Sequence, residues 1–150
     1  MFSKIVFVHF GKFKSKEYGA LFDEYVKRIA HYSKVEIKEI KIEKDEPVFL
    51  EKIKEKILDS LKGTTVMALS ERGKSITSKE FSDFINNGTG VLSVVVGTSW
   101  GVPEFVEKKA GLVLSFGKLT MPYEAVRLLC AEQMYRAYTI IRGESYHKWR

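Results

Sequence analysis

Cysteine, histidine and proline are all scarce in this chain of 150 residues, which has one, three and three of them. A lone cysteine, Cys130, excludes an internal disulfide and suits a reducing cytosolic compartment. It falls in an apolar helical run, where a buried, inert thiol is expected. Three scattered histidines and one cysteine cannot build a zinc cluster, so no metal is expected. No apolar run reaches the length of a membrane span, and the start, Met-Phe-Ser-Lys-Ile-Val-Phe-Val, passes straight into a strand pattern without the layout of a signal peptide. A cytoplasmic protein with no membrane partner is therefore expected. Nothing matches the Gly-x-x-x-x-Gly-Lys-Ser/Thr phosphate loop, and no Gly-x-Gly-x-x-Gly follows the first strand. P-loop phosphoryl transfer and a standard dinucleotide site are thereby disfavoured. Internal repeats, linkers and low-complexity segments are also missing.

With 45% hydrophobic and 29% charged residues, the chain has the composition of one globular domain spanning 1–150. The net charge is +6 and is unevenly spread. The middle of the chain is balanced, while the excess lies at the two ends: Lys12, Lys14 and Lys16 near the start, and Lys118, Arg127, Arg136, Arg142, Lys148 and Arg150 near the finish. Localised cations among aromatic residues fit a polyanionic partner, although lysine-rich faces also serve solubility.

Short β-rich runs alternate with amphipathic ones. Strands are expected at Ile5–Phe10, Val35–Ile42, Thr64–Leu69, 91–96 and Leu112–Ser115. The second alternates and so belongs at a sheet edge. A helix from Ser15 or Lys16 to Ala30 carries Tyr18, Leu21, Phe22, Tyr25, Val26 and Ile29 as one apolar stripe. Further helices are expected from Pro47 to Leu61, after the capping-box spacing Thr77-Ser-Lys-Glu80, after Pro103, and from Tyr123 to Arg142 behind Pro122. Ser70–Ser75 reads as a polar loop. This βα alternation predicts an α/β fold, a mostly parallel sheet with helices on both faces.

The last third is the most informative. Val91-Leu-Ser-Val-Val-Val96 runs into Gly97-Thr-Ser-Trp-Gly101, and Leu112-Val-Leu-Ser115 runs into Phe116-Gly-Lys-Leu-Thr-Met-Pro122. Glycine-bearing loops at the carboxyl edge of a parallel sheet present main-chain groups to a nucleotide-like ligand.

These loops, with Val126-Arg127, Glu132-Gln-Met-Tyr-Arg136-Ala-Tyr, Arg142-Gly-Glu-Ser-Tyr146-His147 and the opening Val8-His-Phe-Gly-Lys12, resemble over the whole length the family of ribosomal RNA large-subunit methyltransferase H, in the SPOUT class. The resemblance implies S-adenosylmethionine (AdoMet) as methyl donor and N3 of a pseudouridine in 23S ribosomal RNA as acceptor, with the assembled ribosome as context. It also implies a homodimer and a SPOUT fold with a C-terminal trefoil knot, which general fold rules disfavour.

Carried over by position, the donor site falls on Leu69, Gly97, Phe116, Gly117, Lys118, Leu119, Thr120 and Met121. Leu69 would offer adenine an apolar wall, and Gly97 would let the chain approach the ligand without a Cβ. His147 is the candidate proton acceptor or relay, Tyr146 a partner for the base, and Arg136 an anion stabiliser or RNA clamp. Lys12, Lys14, Lys16 and Arg142 would contact phosphates. For Arg127, an ion pair with Glu124 or Glu132 stands beside a substrate role. Two departures from the family are Thr98, where relatives carry a second glycine, and Tyr123, where many carry histidine. Rival readings are a non-catalytic RNA-binding protein on this scaffold and a SPOUT methyltransferase acting on another RNA.

Overall fold

In β1 (Lys4–Phe10), alternate side chains leave the sheet in opposite directions: Ile5, Phe7 and His9 to one face, Val6, Val8 and Phe10 to the other. All from Ile5 onward are buried, so β1 is covered on both sides, as a parallel strand must be. The computed structural model describes residues 1–149. It pairs β1 in parallel with β2 (Lys34–Ile40) and β4 (Val91–Val95). β3 (Thr65–Lys74) lies between β4 and β5 (Leu112–Leu114), giving the order β2-β1-β4-β3-β5.

Three helices cover the first face. α1 (Lys16–Ile29) contributes Phe22 and Ile29, and Ser15 caps it by accepting the Tyr18 N–H at 3.2 Å. α4 (Ser78–Asn87) contributes Phe81 and Ile85, capped by Thr77 Oγ1, which accepts the Glu80 N–H at 3.0 Å. α6 (Tyr123–Ile141) contributes Cys130, Ala131, Met134, Ala137 and Tyr138. The opposite face takes Leu50 from α2 (Pro47–Lys52), Ile57 from α3 (Lys54–Ser60) and Val106 from α5 (Glu104–Lys109).

Three details differ from the sequence-based expectation. The segment from Pro47 to Leu61 is two helices, because Ile53 leaves helical geometry (φ −103°, ψ 18°). The bend lets Leu50 on one side and Ile57 and Leu61 on the other all reach the sheet. The second strand is an edge strand but ends at Ile40, two residues short of Ile42.

The third difference bears on the site. Much of the expected loop Ser70–Ser75 is an extension of β3: Lys74 returns to pair with Leu114, and Ser115 N–H donates to Lys74 C=O at 2.9 Å. At Gly73 a Cβ would stand 2.5 Å from the Val113 carbonyl oxygen, so only glycine fits this crossing.

Candidate active site

The carboxyl ends of β3, β4 and β5 surround a cavity of about 720 Å³, within the range of small-molecule sites. Leu69, Val96 and Leu114 line it from the strand ends, and Tyr123 and Val126 from the first turns of α6. One rim is the turn 97–101 and another the loop 116–122. All the donor-site candidates therefore meet at one cavity except Lys118, which is exposed and outside the lining. Ser70, Glu71, Arg72, Trp100 and Val126 also line it and had not been singled out. The first three directly follow Leu69, and that adjacency was the signal available.

Gly97 is required by the protein's own turn, apart from any approach to a ligand. A Cβ there would lie 2.2 Å from the Gly101 carbonyl carbon and 2.5 Å from the Val102 nitrogen, so the protein's own turn excludes it. Thr98 and Gly101 exchange main-chain hydrogen bonds at 2.9 and 3.3 Å, with Gly101 at φ +84°. Thr98 Oγ1 accepts the Trp100 N–H at 3.1 Å, so this hydroxyl oxygen, buried at 5% exposure, braces the turn.

Across the cavity, Ser115 Oγ donates to Gly117 C=O at 2.8 Å and accepts its N–H at 3.0 Å. Gly117 sits at φ +126°. Among the described residues, no protein group hydrogen-bonds to the main chain of 118–121. Polar main-chain groups beside an apolar hollow need partners. Residues 119–121 share the cavity lining with Leu69, Val96 and Phe116, and their main-chain groups suit a flat heterocycle whose edge both donates and accepts.

Beneath Tyr123 lies a buried guanidinium. Arg127 has no exposed surface and donates from Nη2 to Phe10 C=O at 3.0 Å, while Nε and Nη1 have no partner among the described residues. Neither expected ion pair forms. Glu124 instead accepts the Lys14 and Ser15 N–H groups at 3.1–3.3 Å, and Glu132 is taken by Arg136. The Phe13 and Tyr123 rings lie 5.0 and 5.1 Å from the Arg127 guanidinium, a partial substitute for an anion. Burial, and secondarily Arg127, depresses the His9 pKa to about 3. The Glu124 tie fixes the loop after β1, where Lys12, Lys14 and Lys16 are exposed and Phe13 and Ser15 turn inward.

The tail candidates gather at the other end of α6. Gly143 (φ +70°) ends the helix in a Schellman-type turn, with Gly143 N–H to Ile140 C=O at 3.1 Å and Glu144 N–H to Thr139 C=O at 2.9 Å. The chain then folds back along α6. Tyr146 packs edge-on against Tyr135 at 4.7 Å and donates its phenol to Glu132 Oε1 at 3.0 Å. Burial, with hydrogen bonds to Tyr25 and Glu132, raises the Tyr146 pKa and keeps the phenol neutral. Arg136 reaches the same Glu132 oxygen from Nε and Nη2 at 3.0 and 2.7 Å, and its Nη1 meets His147 Nδ1 at 3.0 Å. Arg142 is exposed nearby, its guanidinium 5.8 Å from the Tyr32 ring.

Arginine can only donate, so His147 Nδ1 accepts and the ring proton resides on Nε2. Within one chain this cluster is remote from the cavity: Tyr123 and Arg136 stand about 20 Å apart along the helix at roughly 1.5 Å per residue. Among the described residues, none of the tail lines the cavity.

Residues 3–147 match the family model described as "Predicted SPOUT methyltransferase". Ribosomal RNA large subunit methyltransferase H of Clostridium botulinum strain Kyoto (type A2) is 41% identical over 157 aligned positions, covering 96% of this chain and 99% of that protein. The protein of the same name from strain Okra (type B1) is 40% identical with the same coverage. The chain belongs to this family of SPOUT methyltransferases. Among solved structures, a probable methylase family protein from Haemophilus influenzae Rd KW20 superposes with a TM-score of 0.61 at 11% identity, covering 97% of this chain and 70% of that one. At that identity the likeness concerns the fold, and it agrees with the parallel α/β sheet of this methyltransferase. Among the described residues, the methyltransferase has no cluster of side chains suited to a metal and no helix long and apolar enough to cross a membrane.

Proposed function

We propose that this methyltransferase moves a methyl group from AdoMet to N3 of a pseudouridine in 23S ribosomal RNA, on the assembled large subunit. The observation that carries the reading is the cavity at the ends of β3, β4 and β5, where an apolar hollow is bordered by residues 119–121, whose main chain has no hydrogen-bond partner among the described residues. Those features fit the donor: Leu69, Val96, Phe116 and Met121 would hold the adenine, and the 118–121 main chain would read its edge. AdoMet supplies a methyl group on a positively charged sulfur, and the acceptor must present a nitrogen lone pair in line with it.

Much of the work left to the protein is alignment and exclusion of water, which can be worth roughly 7–11 kcal/mol in well-oriented systems. The imide N3–H must also lose its proton, which would pass to solvent water before the base is enclosed. With Nδ1 accepting from Arg136, His147 offers an N–H outward, so in this arrangement it stabilises the imide anion as a donor. A proton-accepting role would need His147 to leave Arg136. Arg136, braced by Glu132, adds positive charge, and Tyr146 presents a ring edge held by Tyr135.

Because cavity and tail lie at opposite ends of α6, the reading requires a homodimer in which one copy's tail completes its partner's cavity. The loop of Lys12, Lys14 and Lys16, and Arg142 at the far end of α6, would then flank each composite site from different copies. Labelled-methyl transfer to large ribosomal subunits and, in parallel, to total transfer RNA from cells lacking the protein, followed by nucleoside mass spectrometry, tests the assignment. N3-methylpseudouridine is expected; label on transfer RNA or on another nucleoside would refute it.

A further inference from the structure

Trp100 is the one cavity-lining aromatic that faces solvent at large, 66% exposed among the described residues. An exposed tryptophan on a flexible loop would mean little. This one is pinned. Its indole Nε1–H donates to Asp45 C=O at 2.8 Å, its main-chain N–H is held by Thr98 Oγ1 at 3.1 Å, and the neighbouring Ser99 hydroxyl donates to the Asp45 carboxylate. The ring is thus fixed before any ligand arrives, which removes most of the ordering cost of binding to it.

Its position and remaining chemistry narrow what it can bind. Trp100, Gly101 and Val102 border both the donor cavity and a second hollow of about 440 Å³, so the end of this turn is the partition between them. Across the donor cavity stands Leu119, 81% exposed. With its only hydrogen-bonding group spent on Asp45, the indole can offer a ligand its π-face and its apolar edge, and nothing else. The second hollow is lined by Lys54 and Lys108 but equally by Glu51 and Glu104, so it does not attract a phosphate backbone. A flat, uncharged ring brought to the mouth of the donor cavity fits these conditions.

We propose that Trp100 is a stacking surface for an unpaired nucleobase of the RNA acceptor, set at the lip of the donor cavity. This rests on the reading of that cavity as the donor site. Stacking of a base on an aromatic side chain is worth about 1–3 kcal/mol and tolerates any base, so Trp100 would select for single-stranded character and leave base identity to the edge contacts.

The test uses full-length Trp100→Ala and Trp100→Phe with large ribosomal subunits as substrate, and calorimetry with AdoMet. Trp100→Ala is expected to raise the KM for subunits about tenfold while donor affinity changes less than about threefold and the dimer persists; Trp100→Phe is expected to stay within about threefold of wild type in subunit KM. An unchanged KM in Trp100→Ala overturns the proposal. So does a parallel loss of donor affinity, which would make the indole a wall of the donor pocket, or dissociation in sedimentation, which would make it a contact with a second copy. A second measurement does not depend on those variants folding. In Trp149→Phe protein, single-stranded hexauridylate is expected to quench Trp100 fluorescence and a duplex of equal length is not; equal response to both refutes the idea. Wild-type protein that fails to bind AdoMet would instead refute the donor-site reading, while the quenching result would still judge Trp100.

Discussion

His147 meets Arg136 through a ring nitrogen that can only be accepting, which fixes the tautomer of its ring. His147→Ala should lower methyl transfer to ribosomal subunits more than tenfold while AdoMet affinity, measured by calorimetry, changes less than about threefold, or roughly 0.6 kcal/mol. His9 makes a different prediction. Its folded pKa of about 3 lies below the ordinary histidine value of 6.5, so between those values the unfolded chain binds a proton that the native one refuses. The stability it contributes is complete above pH 6.5 and is lost as pH falls toward 3. Urea unfolding should show a drop of about 2 kcal/mol between pH 7.5 and pH 5 that is absent in His9→Leu. Single residues were also where sequence reasoning reached least far. Nothing in Ala-Val-Arg-Leu-Leu reveals that Arg127 is buried against a carbonyl and two rings, because Phe10 and Phe13 come from the other end of the chain.

At the scale of elements, the β1–α1 loop and the start of α6 act as one unit through the Glu124 carboxylate. Glu124→Ala should cost about 1–2 kcal/mol in urea unfolding, toward the lower part of the range for orphaned buried donors because the site is partly solvated. Hydrogen exchange at the Lys14 and Ser15 amides should quicken in the same variant. Strands with a continuous apolar run, such as 91–96, and helices with a cap and a stripe, such as α1 and α4, were legible from local pattern alone. The extension of β3 was not, since Ser70-Glu-Arg-Gly-Lys74 has no strand pattern and becomes extended only by meeting Leu114 and Ser115. The break at Ile53 was hidden for a related reason: both halves keep helical spacing, and the bend serves contacts made only in the folded chain, where Leu50, Ile57 and Leu61 join one core cluster. The two glycine-bearing loops were recognisable, whereas their union with residues 70–72 and the foot of α6 in one hollow required the folded chain.

At the scale of the whole molecule, α6 separates donor cavity from tail, and a homodimer with sites shared between copies makes a quantitative prediction. Gly97→Val should lose AdoMet binding, because its side chain would displace the 97–101 turn. His147→Ala should retain it. Each variant alone should be nearly inactive. Co-refolded in equal amounts, they should recover roughly a quarter of wild-type activity, since half the dimers are mixed and each mixed dimer has one intact site. Sites confined to single copies would show no recovery. The two-fold arrangement would also place Lys12, Lys14 and Lys16 of one copy and Arg142 of the other on the same RNA, so methyl transfer should fall steeply with added salt.

The lone thiol, set aside at first as inert, has a practical use. Cys130 is 2% exposed, faces the sheet from the middle of α6, and has its ionisation suppressed by burial. A sulfhydryl reagent can reach it only when that helix lifts from the strands beneath, so the labelling rate is a clock for how often the methyltransferase comes apart around its longest helix.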